Sequence, residues 1–132
     1  LEALRAVKKV SGKIKIVGVT TLTSLNEKSL KEIGYNKKIS SLVAHQAKLA
    51  VKTNLDALVC SPQEIGLVKK IFKKEIITPG IRLDSKNNDQ KRVMTPLNAF
   101  RNGSDWLVIG RPITNGNIKK NLQKLIDHLK ND

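Results

Sequence analysis

Five arginines stand in a chain that otherwise relies on lysine, with twenty lysines in 132 residues. Two of the five, Arg82 and Arg111, come directly after short apolar runs. An arginine offers a rigid planar fork of donors that fits a carboxylate or a phosphate, which the point charge of a lysine does not. Gly110 precedes Arg111 and Pro112 follows it. The glycine lets a ligand come close to the backbone, and the proline stops a strand from continuing. The chemistry on offer at this corner is oxyanion recognition through charge-assisted hydrogen bonds. Thr23 and Ser61 put hydroxyls at comparable places, behind other apolar runs. The lone Cys60 has no His or Asp near it in sequence and reads as a small buried hydrophobe rather than a nucleophile. His45 and His128 fall within helical patterns and form no ligand cluster, so no metal is expected.

The elements that must carry these residues follow from periodicity. Residues 1–10 read as a helix, with Leu1, Leu4, Val7 and Val10 spaced by three and Gly12 behind them. No Met and no strand precede it, as though the chain opened inside a structural unit. Residues 13–22, KIKIVGVTTL, read as a strand rich in β-branched residues. Ser24 with Glu27 has capping-box spacing for a short helix that Gly34 closes. Ser40 or Ser41 is the expected cap of a helix running to about residue 53. LDALVC at 55–60 is a short buried strand, and Ser61-Pro62-Gln63-Glu64 is a helix start, with that helix ending near Lys74. EIIT at 75–78 is a strand ended by Pro79-Gly80, and 83–90 is a polar loop. Thr95-Pro96 opens another helix, 106–109 is the last strand, and Ile118, Leu122, Leu125, Ile126 and Leu129 mark an amphipathic closing helix. Trp106 and Phe100 are expected in the core.

A helix followed by four βα pairs implies a parallel sheet with crossover helices. Thr23, Ser61, Arg82 and Arg111 then all lie just past the carboxyl end of a strand, where parallel α/β folds bind ligands. The first strand is followed by GVTTLTS, which is not the G-x-G-x-x-G turn of a dinucleotide fold. A barrel fits better, yet a complete (β/α)8 barrel takes about 250 residues. The expected fold is therefore α/β, four βα units amounting to half of a (β/α)8 TIM barrel, in one partial domain spanning 1–132.

Composition sets limits on function. Apolar residues make up 39 % and charged residues 27 %, as in ordinary globular proteins. The longest apolar runs are too short for a membrane span, and nothing reads as a signal peptide. One cysteine fits a reducing cytoplasm. The net charge of +14 invites a nucleic-acid reading. Against it, the basic residues come as scattered pairs such as Lys8-Lys9, Lys37-Lys38 and Lys119-Lys120, without interleaved aromatics. They read as solvated helix faces, and nucleic acid is not the expected partner.

Five stretches, in order, carry a resemblance: VTTLTS at 19–24, LVCSPQE at 58–64, ITPGIR at 77–82, DQKRVMTP at 89–96 and VIGRPIT at 108–114. Together they resemble the C-terminal half of bacterial orotidine 5′-phosphate decarboxylases. That resemblance implies a cofactor-free decarboxylation of orotidine 5′-monophosphate to uridine 5′-monophosphate in pyrimidine synthesis. It also implies a homodimer of (β/α)8 barrels with active sites at the interface. Residue by residue, Thr23 takes the hydroxyl position against the pyrimidine. Arg82 takes that of the arginine approaching the phosphate, and Gln90 that of the loop glutamine bridging phosphate and base. Gly110 and Arg111 take the contacts to the 5′-phosphate. The loop at 83–90 then serves as a lid whose grip on phosphate helps to assemble the site.

The resembled reaction also uses an Asp/Lys constellation in a D-x-K-x-x-D motif on an earlier strand. The aspartates here are Asp56, Asp84, Asp89, Asp105, Asp127 and Asp132, and the expectation is that none opens such a motif. Lys13 and Lys15 enter a strand at its amino end, the wrong face. No catalytic residue is assigned, and this chain is expected to supply phosphate and base recognition. Its two open sheet edges and apolar inner face should pair with a missing N-terminal half or with a second copy. Rival readings are a non-catalytic phosphate-ligand binder or half of a split enzyme, a nucleic-acid binder, and a barrel acting on another sugar phosphate.

Overall fold

The computed structural model describes residues 1–21, 25–83 and 93–130. Its elements run α1 (Glu2–Val10), β1 (Val17–Val19), α2 (Glu27–Glu32), α3 (Ile39–Lys52), β2 (Ala57–Val59), a 3-10 turn (Pro62–Glu64), α4 (Ile65–Ile71), β3 (Glu75–Thr78), α5 (Pro96–Arg101), β4 (Trp106–Leu107), α6 (Arg111–Thr114) and α7 (Ile118–Lys130). The four strands form one sheet in the order β1-β2-β3-β4, every pair parallel. All four carboxyl ends therefore face one way, as the alternation of elements implies.

The two faces of the sheet differ. Gly18, Leu58 and Ile76 are in register on one face, and Leu58 and Ile76 are buried there. That face joins the core built with Val43, Ala47, Val68 and Phe72 from the helical layer. Register partners Val19, Val59, Ile77 and Trp106 line the other face. Its end members stay open, Val19 at 63 % and Trp106 at 59 % exposure. Trp106 is thus not a core residue, because it stands on the face that the helices leave uncovered. Phe100 is also exposed, at 42 % on α5, so both aromatics depart from expectation. Gly18 marks the closest approach on the covered face. A Cβ there would lie 2.7 Å from Leu55 Cδ1 and 2.9 Å from Leu58 Cδ2. Gly18→Ala should destabilise the fold by about 1–3 kcal/mol, read by urea unfolding, because overpacking forces neighbours off their rotamers.

Several boundaries differ from expectation for local reasons. β1 covers Val17–Val19 rather than 13–22, since Ile14 N–H turns back to the Ser11 carbonyl at 2.9 Å. α2 is capped by Asn26, whose side chain accepts from Ser29 N–H at 2.9 Å, while Ser24 lies outside the described residues. α3 starts at Ile39, with Lys38 as an extended cap that makes no side-chain bond, so neither Ser40 nor Ser41 caps it. The Ser61-Pro62 start opens a 3-10 turn, and α4 ends at Ile71 rather than near Lys74. Phe72 ends α4 by turning extended, at φ −109° and ψ 110°, and it is 1 % exposed. The Thr95-Pro96 start holds: Thr95 accepts from Asn98 N–H, and Pro96 opens α5. Thr78 and Ser104 are both buried, their hydroxyls 2.7 Å apart.

The amino ends of the strands are braced by acid–lysine pairs. Asp56, just ahead of β2, accepts from Ile16 N–H at 2.7 Å and pairs with Lys8 of α1. Asp105, just ahead of β4, accepts from Ile76 N–H at 2.8 Å and pairs with Lys69 of α4 at 2.8 Å. Lys15 pairs with Glu75 at 3.1 Å, which places it at the amino edge as expected. Lys8 and Lys69, expected as solvated charges, are therefore clamps. The Lys8 and Ile16 bonds hold the Asp56 carboxyl below the usual range. Desolvation pulls Asp105 upward, but the Lys69 and Ile76 bonds outweigh it and the net direction is down. A carboxyl lowered in the folded state adds stability above its unfolded pKa, which is lost as pH falls through the folded value. Unfolding free energy should therefore hold above about pH 4 and drop on further acidification. Asp105→Asn should flatten that acid limb, as followed by urea titrations between pH 2 and 6.

Candidate functional site

The described candidates gather at the carboxyl edge of the sheet. β3 and β4 end on the register pair Thr78 and Leu107. Arg82 and Arg111 each come four residues beyond that pair, so the two guanidinium-bearing segments leave neighbouring strands in step. Between β3 and Arg82, Pro79 fixes one dihedral angle and Gly80 takes φ 77°, a left-handed conformation that glycine adopts without penalty. The turn seats Ile81, which is fully buried and bridges to Met94 in parallel. Arg82 N–H donates to the Met94 carbonyl at 3.0 Å, and Arg82 Nη1 donates to the Ile81 carbonyl at 2.9 Å. Arg82 is thus half-buried on a backbone held from both sides.

The second arm is more open. Val108 N–H donates to the Thr78 carbonyl at 2.9 Å, carrying β3–β4 pairing past β4. Gly110 follows, and a Cβ on it would meet no atom within 4 Å, so the approach to this backbone is unobstructed. The Gly110 carbonyl accepts from Ile113 and Thr114 N–H at 2.8 and 3.1 Å, which folds RPIT into the single turn of α6. Arg111 is exposed at the head of that turn.

β1 and β2 supply the rest of the edge. Thr20 and Thr21 are buried just past β1. Thr20 Oγ1 donates to the Val59 carbonyl at 2.9 Å. Gln46 Oε1 of α3 accepts from both Thr21 N–H and Thr21 Oγ1, at 3.0 and 3.1 Å. Gln46 thereby anchors the chain on its way to Thr23, a role its place in a helical repeat did not signal. Ser61, past β2, is 1 % exposed, and its Oγ has no hydrogen-bond partner among the described residues. An unpaired buried hydroxyl is a standing cost unless something arrives to bond it. Cys60 is buried beside it, and burial pushes its thiol up to about 12, which makes it an inert hydrophobe.

Thr23, Gln90 and the 83–90 lid beyond Leu83 lie outside the described residues. Arg82, Gly110 and Arg111 are therefore the site candidates whose common edge is established. One motif expectation fails on the sequence itself. Asp84, Lys86 and Asp89 do stand in D-x-K-x-x-D order. In sequence they follow Arg82, within the stretch read as a polar loop, and they too lie outside the described residues. The acid–lysine pairs described above, Lys8–Asp56, Lys69–Asp105 and Lys15–Glu75, are at the opposite, amino edge. Among the described residues no group of three His, Cys, Asp or Glu could hold a metal ion, and no helix is long and apolar enough to cross a membrane.

Comparison with known proteins decides the family. Residues 1–124 match the model of the orotidine 5′-phosphate decarboxylase / HUMPS family. The chain belongs to this family. A curated orotidine 5′-phosphate decarboxylase of Coxiella burnetii (strain RSA 331 / Henzerling II) is 50 % identical over 102 residues, covering 75 % of this chain and 43 % of the relative. One from Carboxydothermus hydrogenoformans is 50 % identical over 101 residues, covering 74 % and 42 %. The chain thus matches less than half the length of these relatives. Among solved structures, the orotidine 5′-phosphate decarboxylase of Lactobacillus acidophilus superposes with a TM-score of 0.77 at 26 % identity, over 96 % of this chain and 57 % of that one. The enzyme of Methanocaldococcus jannaschii complexed with inhibitor BMP shares the fold, with a TM-score of 0.67 at 20 % identity. The four-stranded parallel sheet therefore corresponds to part of the barrel in these solved structures, as the five sequence stretches implied.

Proposed function

We propose that this chain is the phosphate- and base-recognition half of an orotidine 5′-phosphate decarboxylase, the C-terminal four βα units of the barrel. The observation that carries this reading is the matched pair Arg82 and Arg111, each four residues past register-paired strand ends and beside the open backbone of Gly110. Two forks carried on adjacent loops suit the three oxygens of a phosphate monoester, at the place where barrels bind phosphate. Arg82, Gly110 and Arg111 grip the 5′-phosphate, Thr23 meets the pyrimidine, and Gln90 bridges the two. The ligand is orotidine or uridine 5′-monophosphate, and no cofactor takes part.

The test is decarboxylation of orotidine 5′-monophosphate beside binding of uridine 5′-monophosphate. The expected result for the 132-residue chain alone is nucleotide binding without turnover. Robust turnover by the chain alone would overturn the division of labour. Absence of binding to the folded chain would overturn the recognition role. The alternative of a non-catalytic phosphate-ligand binder is favoured, among the described residues, by acid–lysine pairs that all lie at the amino edge. It predicts equal affinity for nucleotide and plain sugar phosphates.

Ser61 gives a further check. Removing an unsatisfied buried hydroxyl should leave stability level or slightly higher, by up to about 1 kcal/mol. If Oγ serves the ligand, Ser61→Ala should at the same time weaken nucleotide binding severalfold. Thermal melts with and without uridine 5′-monophosphate separate the two effects.

A further inference from the structure

We propose that Asn115 is a modification site: it loses its side-chain amide through a succinimide, and the carboxylate left behind weakens the hold of the Arg111 corner on phosphate. The second half rests on the reading of Arg111 as a phosphate handle, and the first does not. The chain holds two Asn-Gly pairs, Asn102-Gly103 and Asn115-Gly116. Such a pair is suited to this chemistry, because glycine has no side chain to shield its nitrogen and its backbone turns freely. The nitrogen of Gly116, once its proton passes to hydroxide, attacks Cγ of Asn115. A C–N bond forms, the Cγ–Nδ2 bond breaks, and the amide leaves as ammonia. Water then opens the ring at either carbonyl, giving aspartate or isoaspartate. Nothing is oxidised or reduced, and hydroxide and water are the co-reactants.

The structure separates the two pairs. At position 102 both reacting groups are engaged. Asn102 Nδ2 donates to the Asn98 carbonyl at 2.7 Å, and Gly103 N–H donates to the Phe100 carbonyl at 2.9 Å. At position 115 both are open. Asn115 and Gly116 are exposed, and among the described residues neither the Asn115 side chain nor the Gly116 N–H has a hydrogen-bond partner. Asn115 has already left α6, at φ −80° and ψ 121°, and Gly116 takes φ 77° with no atom within 4 Å of a Cβ position. One restraint remains. Asn121 Nδ2 of α7 donates to the Asn115 carbonyl at 2.7 Å and to the Ile113 carbonyl at 3.1 Å. Ring closure swings the Gly116 nitrogen toward Asn115 Cβ, which turns the Asn115 carbonyl off that bond. Asn121 is therefore the brake on the reaction.

The product is placed to matter. Asn115 N–H donates to the Arg111 carbonyl at 3.0 Å, so residue 115 closes the same single turn that Arg111 opens. A carboxylate there lies within a Debye length of Arg111 and of an anion that its guanidinium holds. It attracts the guanidinium and repels a phosphate, and both effects lower affinity.

The test incubates the full folded chain in warm, mildly alkaline buffer, and peptide maps follow the gain of one mass unit at each asparagine. Asn115 should convert several times faster than Asn102, and Asn121→Ala should speed conversion at 115 but not at 102. Asn115→Asp, the product made directly, should bind uridine 5′-monophosphate about three- to tenfold more weakly than the parent and uridine equally well. Asn115→Gln should keep its nucleotide affinity through the same incubation. Equal conversion at the two sites, or Asn102 first, would overturn the assignment of the site. Equal nucleotide affinity in the parent and Asn115→Asp would overturn the link to Arg111. A fresh chain that binds no nucleotide is instead the failure of the nucleotide reading. The peptide maps then stand, and the link is read from the Arg111 Nε–H signal, which Asn115→Asp should shift while that of Arg101 stays in place; an unmoved Arg111 signal would overturn it.

Discussion

Arg111→Ala is expected to weaken uridine 5′-monophosphate binding about 10- to 100-fold, the worth of a charge-assisted hydrogen bond at about 1.5–3 kcal/mol. The loss should fall on the phosphate alone. Uridine, which lacks it, should bind wild type and variant alike. Arg111→Lys keeps the charge but not the fork, so it should recover only part of the affinity. Arg82→Ala should behave differently, because Arg82 also bonds the Ile81 carbonyl and its backbone is tied to Met94. Its affinity loss should come with a larger fall in stability than that of Arg111→Ala, since Arg111 is exposed on a single turn while Arg82 is half-buried. Calorimetric titration with both ligands, beside urea unfolding, separates these outcomes.

Phe72→Ala should be the most damaging single truncation, at about 3–5 kcal/mol. Phe72 is 1 % exposed and stands at the turn where α4 gives way to the run into β3. Its ring fills the space between the helical layer and the covered face of the sheet, where Val68 and Ile76 are also fully buried. Truncation opens a cavity that two rigid elements cannot both collapse into. The midpoint of thermal unfolding should fall on the order of 15 °C. Phe100→Ala, the same change on the outer side of α5, should lie within about 0.5 kcal/mol of wild type.

The contrast between these two phenylalanines shows where the sequence stops being legible. Element order, parallel pairing and the carboxyl-edge placement of Ser61, Arg82 and Arg111 follow from local patterns, because crossover connections leave few topologies open. Exposure of Trp106 and Phe100 does not follow. Burial of an aromatic depends on what covers its face, and half a barrel leaves one face of the sheet bare. A helix start is legible at Thr95, where the expected side chain makes the cap, and not at α2, where Asn26 makes the cap in place of the expected Ser24. The Asp56 and Asp105 clamps were invisible for another reason. Their partners Ile16 and Ile76 are 40 and 29 residues away, and only the strand register brings them together. Gln46 was hidden in the same way, as its partner Thr21 lies 25 residues before it. The roles of Thr23 and Gln90 rest on the family's motifs, since the described residues include neither.

The most direct measurement is a nitrogen-15 spectrum of the arginine side chains of the 132-residue chain, which has only five arginines to resolve. Titration with uridine 5′-monophosphate should shift the Nε–H signals of Arg82 and Arg111 together, with one affinity, and leave Arg5 and Arg101 in place. Uridine should shift neither. Equal movement of all five, the mark of a diffuse attraction to a highly basic surface, would contradict a phosphate site at the carboxyl edge. So would a nucleotide that binds while Arg82 and Arg111 stay still.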